Sequence, residues 1–515
     1  MQRRDFLADV AMYSAICAGV PNMWRVTSRP VLADNPFTLG VASGDPTASG
    51  AVIWTRVAPN PFDPDSGTNG QRITVNWEVA EDEQFAKVAQ RGRAVAAPEL
   101  GSSIHVDVQG LQPDRWYFYR FTLQNGSSPV GRLRTTPVAT AMNPFRFGFV
   151  SCQHYEQGYF TAYDHLARED KLDLVVHLGD YIYEYSPTEG RTRLYGSPEV
   201  RTLEQYRGRY AQTKMDPALM AAHLAAPWIL TWDDHEVDNN YAGLNGQDLM
   251  ESEEQMHARR AAGYQAWWEH QPVRVPRAKS WGDLNIVRTL DWGAMAKFHV
   301  LDTRQYRSDQ ACGDGTKPST CGPEWGDPAR TMMGPLQEKW LDAGLTASKA
   351  RWQVLANQVQ VAPFDQQDGP GETYSMDQWG GYPAALSRLM TSIGTRAPNR
   401  TVIITGDIHS NWVNELRTDY KKPTGKTIGA EFVGTSISSG GDGQDQFRNW
   451  NDASRAENPH CRWHNGRRGY VMCDVGQDAW KASYRVVPYV SKPGAPVQTP
   501  AEFITRHGKP GIEKV

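Results

Sequence analysis

The rhythm of apolar and polar positions changes once along this chain. Between residues 34 and 137 the apolar positions recur at a period of two. "AVIWTRV" (51–57), "RITVNWEVA" (72–80), "SIHVDVQG" (103–110) and "RWYFYRFTL" (115–123) are rich in β-branched and aromatic residues, and Gly, Pro, Asp and Asn separate them. That pattern predicts an all-β domain over 34–137. From residue 145 short apolar runs alternate with helix-length segments. The runs are "FRFGFV", "LDLVVHL", "PWILTW", "AKFHVLD", "WQVLAN" and "TVIITG". "YFTAYDHLARE", "LEQYRGRYAQT", "SEEQMHARRAAGYQAWWEH" and "GPLQEKWLDAGLTAS" read as helices. This predicts an α/β domain over 145–515 with βαβ-type connectivity. Shorter strands are expected near 431–437, 469–475 and 482–487. "RTTPVATAMNPF" reads as the linker, and "SSGGDGQDQ" as a surface loop that could border a site.

Within the first domain, "LQPDRWYFYRF" places a Leu-x-Pro turn before Tyr117-x-Tyr119. This resembles the corner of a fibronectin-type or immunoglobulin-like sandwich. No titratable cluster accompanies it, so a scaffold is the expectation there.

Composition narrows the function classes. The chain has 515 residues, 40% of them hydrophobic, with 18 tryptophans, which is ample for a large core and more than one domain. A net charge of −4 argues against a broad nucleic-acid or anionic-membrane surface. No run of about 18 apolar residues follows the N-terminus, so no membrane span is expected.

Residues 1–33 read as an address. Arg3-Arg4 precede Phe6-Leu7 and a modest apolar segment interrupted by Asp9, and "PVLAD" offers small residues for cleavage after Ala33. The order resembles a twin-arginine export signal, the route of proteins that fold before export. An ordinary amphipathic N-terminal helix is the alternative. Export implies a periplasmic or secreted protein and a disulfide-permissive compartment. Once Cys17 has left with the signal, Cys312/Cys321 and Cys461/Cys473 are the expected pairs, and Cys152 is left over. A lone thiol in such a compartment needs burial or a metal.

Each apolar run of the second domain ends in chemistry. Cys152 follows "FRFGFVS". Asp180 and Tyr183 follow "LDLVVHLG". "PWILTW" leads into Asp233, Asp234 and His235. Arg304 follows "KFHVLDT", Asn357 follows "WQVLA", and Asp407 and His409 follow "TVIITG". In α/β sheets, ligands bind outside the carboxyl ends of strands. A crowd of carboxylates at one edge is tolerable only when cations neutralise it. Oxygen ligands suit hard cations such as Ca²⁺, Mg²⁺ or Mn²⁺. A thiolate and a phenolate need a more strongly polarising ion, and Fe³⁺ suits them. His154 and His177 read as structural, and Glu236 and Asp238 as supporting groups.

These motifs carry a resemblance. "SCQ" (151–153), "HLGDYIYEY" (177–185), "WDDHEVDNNY" (232–241), "LDTRQYR" (301–307) and "GDIHSNW" (406–412) are similar to those of the PhoD-like alkaline phosphatase and phosphodiesterase family, itself related in motif to the purple acid phosphatases. The resemblance implies a metallophosphoesterase-type sandwich of two mixed sheets flanked by helices, preceded by the β-sandwich. It implies one Fe³⁺ held by Cys152, Asp180 and Tyr183, with His409 a further ligand. It also implies one or two Ca²⁺ held by Asp180, Asp233, Asp234, Asn357 and Asp407. His235 is implied as the group that bonds the phosphate or protonates the leaving oxygen, and Arg304 as a phosphate clamp.

The expected activity is hydrolysis of phosphate mono- or diesters by metal-activated hydroxide, for phosphate scavenging outside the cytoplasm. A phospholipase D-like phosphodiesterase on the same site is the alternative. A non-catalytic, calcium-stabilised binding protein is the second alternative. The partners implied are a phosphate-ester substrate and the twin-arginine machinery.

Overall fold

The structure, a computed structural model, describes residues 35–515 except 125, 248–250, 423 and 447–450. The expected export signal lies outside the described residues. Among the described residues from 35 to Arg134 the regular elements are strands, with one 3₁₀ turn at Pro98–Leu100. Val41–Thr47, Gly50–Arg56 and Ser103–Val108 pair antiparallel in one sheet. Val88–Ala96, Ile73–Ala80, Trp116–Leu123 and Gly131–Arg134 form a second. The inward residues of both, among them Ile53, Val75, Val79, Ile104, Tyr119 and Phe121, share one core. Tyr117 closes the expected corner: its hydroxyl accepts from the Gln112 amide at 3.0 Å.

The remainder is built on two mixed sheets packed face to face. In the first, Phe145–Val150, Leu174–His177 and Trp228–Leu230 run parallel. In the second, Ala296–Val300, Trp352–Ala356, Thr401–Thr405 and Thr427–Val433 run parallel, with Asn411–Arg417 antiparallel beyond them. One 15-residue strand, Cys461–Val475, belongs to both: its first residues pair with Asn411–Asn414 and its last with Phe145–Phe149. Ala479–Val487 and Gln498–Arg506 continue the first sheet.

Alternation along each strand explains the layers. Phe147, Phe149, Val176 and Ile229 face Phe298, Val354, Val402 and Ile404 between the sheets. Their neighbours Val175, Trp228 and Leu230 face outward, into a core with the helices Leu203–Lys214, Pro217–Ala225 and Glu253–His270. On the far side Leu355 and Ile403 pack against Gly334–Ala347 and Pro383–Arg396. The layers therefore run helix, sheet, sheet, helix, the two mixed sheets flanked by helices that the motif resemblance implies. The edge strand Val41–Thr47 meets the first sheet at a single bridge, Gly44 to Trp228.

The cysteine expectation holds in one pair and fails in the other. Cys312 and Cys321 are joined. Cys461 and Cys473 are free and buried. They lie 12 residues apart in one continuous strand. At about 3.3 Å per residue that is roughly 40 Å, far beyond the ~4.4–6.8 Å between the Cα atoms of a disulfide.

Candidate metal centre and active site

The carboxyl ends of both parallel strand sets open onto the same edge. Strand-end backbone laces the loops together: Cys152 N donates to Gly179 O at 3.1 Å and Asn357 N to Ile404 O at 3.1 Å. Four site residues adopt left-handed backbone, Cys152 (φ 58°), Asp180 (58°), Asp407 (65°) and His409 (55°). Such conformations are strained for non-glycine residues, and the surroundings must enforce them. Gly179 is required beside them, since a Cβ there would sit 2.4 Å from Asp233 Cβ with φ at +112°.

Three overlapping groups gather. Cys152, Asp180 and His409 offer ligand atoms within 4.8 Å of one another, as do Asp180, Asp234 and His235, and Asp233, Asp234 and Asp407. Tyr183 joins the first group: its hydroxyl donates to Asp180 Oδ2 at 2.8 Å and lies 3.2 Å from His409 Nε2. Asn357 is fully buried; its amide nitrogen bonds the Val359 carbonyl and its oxygen accepts from Trp379 Nε1 at 3.3 Å. Asp180 Oδ1, Asp233 Oδ2 and Asp234 Oδ1 are buried and accept no hydrogen bond from any described residue. A buried carboxylate oxygen that accepts no hydrogen bond costs several kcal/mol by order of magnitude, so three at one point, one of them near only the Arg304 charge, mark a place built for something positive.

Burial and mutual repulsion shift these acids. Burial, with the neighbouring Asp234, Glu236 and Asp407 charges, pushes the Asp180 carboxyl well up. Asp233 moves the same way, burial outweighing the pull of Arg304. Asp407 is pushed up to about 6 by burial against Arg304. Asp234 goes down instead, because Arg304 and His235 together overcome its burial. Burial, then Asp180 and Asp407, push the Cys152 thiol up, and burial and Asp180 do the same for the Tyr183 phenol.

Arg304 is placed differently from its expected role. It is fully buried. Its Nε pairs with Asp233, Nη1 with Asp377 at 2.8 Å and Nη2 with Asp407 at 3.4 Å. Asp234 Oδ1 stands 3.5 Å from Nη2, a charge contact beyond good hydrogen-bonding length. All three nitrogens are occupied by the acidic cluster, and no fork is left for a phosphate.

His235 is fixed from behind. Its Nδ1 lies 2.7 Å from Glu184 Oε2, and Nε2 faces Asp234 Oδ2 at 4.0 Å. Although burial disfavours the charged ring, Glu184, Asp234 and Asp180 raise it well above the usual histidine range. Glu236 pins two loops to each other. Its carboxylate accepts from Asp180 N (3.0 Å), Tyr181 N (2.6 Å) and Asp233 N (2.9 Å). Asp238 pairs with Arg259 at 3.0 Å. His177 is buried in its strand and accepts from Gly179 N at 3.2 Å; His154 lies with its ring 4.4 Å from that of Tyr183.

Several members escaped the sequence reading. Glu184 stands inside the quoted "GDYIYEY" and gave a signal that was passed over. Ser439 donates to the Cys152 carbonyl at 2.7 Å and lies 2.7 Å from the Tyr183 hydroxyl, so the "SSGGDG" loop does border the site. Asp377 and Gln378, which hold Arg304 and Asp407, come from a segment with no local motif. Arg468 bonds the His409 carbonyl and Ser436 Oγ, and its position in a polar strand gives no warning of that.

The fold is that of a phosphatase sandwich. A purple acid phosphatase from yellow lupin (Lupinus luteus) seeds superposes with a TM-score of 0.51 at 13% identity, over 90% of this chain and 73% of that one, a likeness of fold alone. A solved structure of PhoD superposes with a TM-score of 0.91 at 46% identity, over 94% of this chain and 93% of that one. Alkaline phosphatase D of Bacillus subtilis (strain 168) is 45% identical across 100% of this chain and 89% of its own length. The PhoD-like phosphatase family model matches residues 147–484, and that of the PhoD-like phosphatase N-terminal domain matches 25–137. The chain belongs to the PhoD-like phosphatase family. It is a phosphatase, a hydrolase of phosphoric ester bonds.

Proposed function

We propose that this phosphatase is metal-dependent and exported, and that it hydrolyses phosphate mono- or diesters to release phosphate outside the cytoplasm. The observation that supports it best is the set of donor-less buried oxygens on Asp180, Asp233 and Asp234. The residues present fit the cations. Cys152, Asp180, Tyr183 and His409 combine a thiol, a carboxylate, a phenol and an imidazole, a donor set that suits Fe³⁺. Asp180, Asp233, Asp234, Asn357 and Asp407 are all-oxygen donors and suit one or two Ca²⁺. Bound there, the cations would neutralise the charge of a phosphate ester and make water a stronger acid.

The chain's own residues supply the rest. His235 Nε2 delivers a proton to the leaving oxygen, and Glu184 fixes the ring so that Nε2 faces the cluster. Arg304 acts as an internal counterion that keeps Asp233, Asp234 and Asp407 together between turnovers. Residues 34–137 serve as a scaffold domain and 145–515 carry the site. Arg3-Arg4 and the following apolar segment support export by the twin-arginine route. Among the described residues no helix is long and apolar enough to cross a membrane.

The test is a panel of nitrophenyl phosphate, its diester and phosphatidylcholine, run beside elemental analysis. Turnover of the nitrophenyl esters by protein containing iron and calcium is expected, with a visible charge-transfer band that Tyr183→Phe weakens or moves. Turnover of phosphatidylcholine alone would transfer the site to lipid head groups. Full activity in colourless, iron-free protein would overturn the Fe³⁺ assignment.

A further inference from the structure

The disulfide closes a loop that is tied to the acidic centre from two sides. Cys312 and Cys321 bracket residues 313–320, and both are half-buried. Cys312, Gly313, Asp314 and Gly315 all have positive φ, at 58°, 73°, 63° and 77°. Cys312 and Asp314 are not glycines, so this run persists only where its surroundings enforce it. The disulfide does so at Cys312. Asn240 does so at Asp314, its Nδ2 donating to Asp314 Oδ2 at 2.7 Å. Further along, the Gly315 carbonyl accepts from Met376 N at 2.8 Å, and Thr316–Pro318 pairs antiparallel with Thr373–Ser375.

Each tie continues into the centre. Asn240 donates its own backbone N–H to Asp234 Oδ2 at 2.7 Å. The strand Thr373–Ser375 leads into Asp377, which pairs with Arg304 at 2.8 Å, and into Gln378, whose amide donates to Asp407 Oδ2. Gln310, just ahead of Cys312, joins the two arms: its Nε2 donates to the Asn240 carbonyl at 2.6 Å and to Asp377 Oδ1 at 2.8 Å. Asp234 and Asp407 stand with Asp233 in one of the three candidate ligand groups. The covalent bond therefore lies outside the cluster, yet both chains of hydrogen bonds that start at its loop end on carboxylates of that group.

We propose that the Cys312–Cys321 bond is a redox-sensitive latch that positions Asp234 and Asp407 for calcium. Closed, it keeps Asp314 on Asn240 and Gln310 between the two arms. It opens by thiol–disulfide exchange with a dithiol: the S–S bond breaks, Cys312 and Cys321 each take up one electron and one proton, and the dithiol closes to a cyclic disulfide. The left-handed run then relaxes, Asp314 withdraws from Asn240, and the groups that orient Asp234 and Asp407 loosen with it. The oxidised chain holds calcium tightly and the reduced chain weakly. Cys152, Cys461 and Cys473 are buried, so a dithiol meets the half-buried bond first. The inference rests on the calcium reading proposed above.

The experiment titrates calcium chloride, by calorimetry, into the full chain after EGTA treatment and dialysis. It compares oxidised wild type, wild type reduced with dithiothreitol, and Cys312→Ser/Cys321→Ser without reductant, which avoids any action of the dithiol on iron. Asn240→Ala with the disulfide intact tests the tie itself. Alkylation and mass spectrometry count the opened cysteines, and thermal melts are recorded on the same samples. Groups that orient metal ligands typically account for ~10–100-fold in metal affinity. The reduced protein and the double variant should bind calcium more weakly by that factor, Asn240→Ala should move the same way, and reoxidation of the wild type should restore the affinity. A lowered melting temperature with calcium affinity unchanged would make the bond a staple alone and overturn the latch. Asn240→Ala with wild-type affinity would break the route to Asp234 and overturn it too. Oxidised wild type that takes up no calcium would overturn the calcium reading itself, and the latch with it.

Discussion

Arg304→Lys separates two roles for one residue. As a phosphate clamp, Arg304 would show its loss in KM. As an internal counterion it would show it in stability and metal retention. The structure favours the second: the guanidinium is wholly buried and its three nitrogens reach Asp233, Asp377 and Asp407, with Asp234 close by. An ammonium is one compact charge on a flexible stem and cannot span that fork. At least one buried carboxylate then loses its cation, and breaking a buried pair costs about 3–5 kcal/mol. For a cooperative unit of about 370 residues, an unfolding entropy of roughly 2.1 cal/mol/K per residue gives about 0.8 kcal/mol/K. The melting temperature should therefore fall by about 4–6 °C. The assay is differential scanning calorimetry on metal-loaded protein, with elemental analysis and steady-state kinetics on the same samples. Metal content should fall with the melting temperature, and KM of the molecules that keep their metals should move little. A KM raised about tenfold or more, with melting temperature and metals unchanged, would show a direct phosphate contact and refute the reasoning.

Three further outcomes are expected. His235→Asn should retain far more activity on a nitrophenyl ester than on an alkyl phosphate, the deficit on the latter approaching ~10²–10⁴-fold; Glu184→Gln should show the same bias to a smaller degree, and equal losses on both esters would reduce His235 to a phosphate donor. Exhaustive chelation with EGTA should lower turnover and melting temperature together, by about 3–4 °C if the site was loaded at ~100 Kd; no change in either would show that the carboxylates hold no calcium. The third concerns acid. Burial lowers His299 to about 4, so the folded chain keeps its ring neutral where the unfolded chain, near 6.5, has taken a proton. Its contribution is whole above pH 6.5 and is lost as pH falls toward 4. His105 and His460 (to about 4) and His177 (to about 3) act in the same sense. His299→Gln should flatten the fall of unfolding free energy by about 1.4 kcal/mol per pH unit in that window. Parallel curves for variant and wild type would show that the imidazole does not charge on unfolding.

The strand ends were legible because they obey one rule: an apolar run decides the strand, and the residue after it decides the chemistry. Cys152, Asp180, Asp234, Asp407 and His409 all stand at such places, and the structure gathers them. What the pattern could not convey is which sheet each run joins. "FRFGFV" and "TVIITG" read alike, yet they lie in facing sheets. Cys461–Val475 was half-missed because Arg, His, Asn and Gly dominate its first part, and burial there follows from two partners, not from apolar content. The false cysteine pair came from the same blindness, since nearness in sequence is distance along a strand. Arg304 misled for a different reason. A guanidinium serves a phosphate and a ring of carboxylates equally well, and only burial tells them apart.

The strand shared by the two sheets has a consequence for the order of events in the life of the chain. Cys152, Asp180, Asp233 and Asp234 hang from one sheet, and Asn357, Asp407 and His409 from the other. A chain with one sheet formed owns half of a coordination set, which is no better than a surface of loose acids. On the reading proposed above, cation capture is then a checkpoint: it can occur only after Cys461–Val475 has stitched both halves together, and it locks the seam once it does. If the chain takes the twin-arginine route proposed above, which carries finished proteins, a centre that forms only on the completed scaffold would tell a folded chain from an unfinished one.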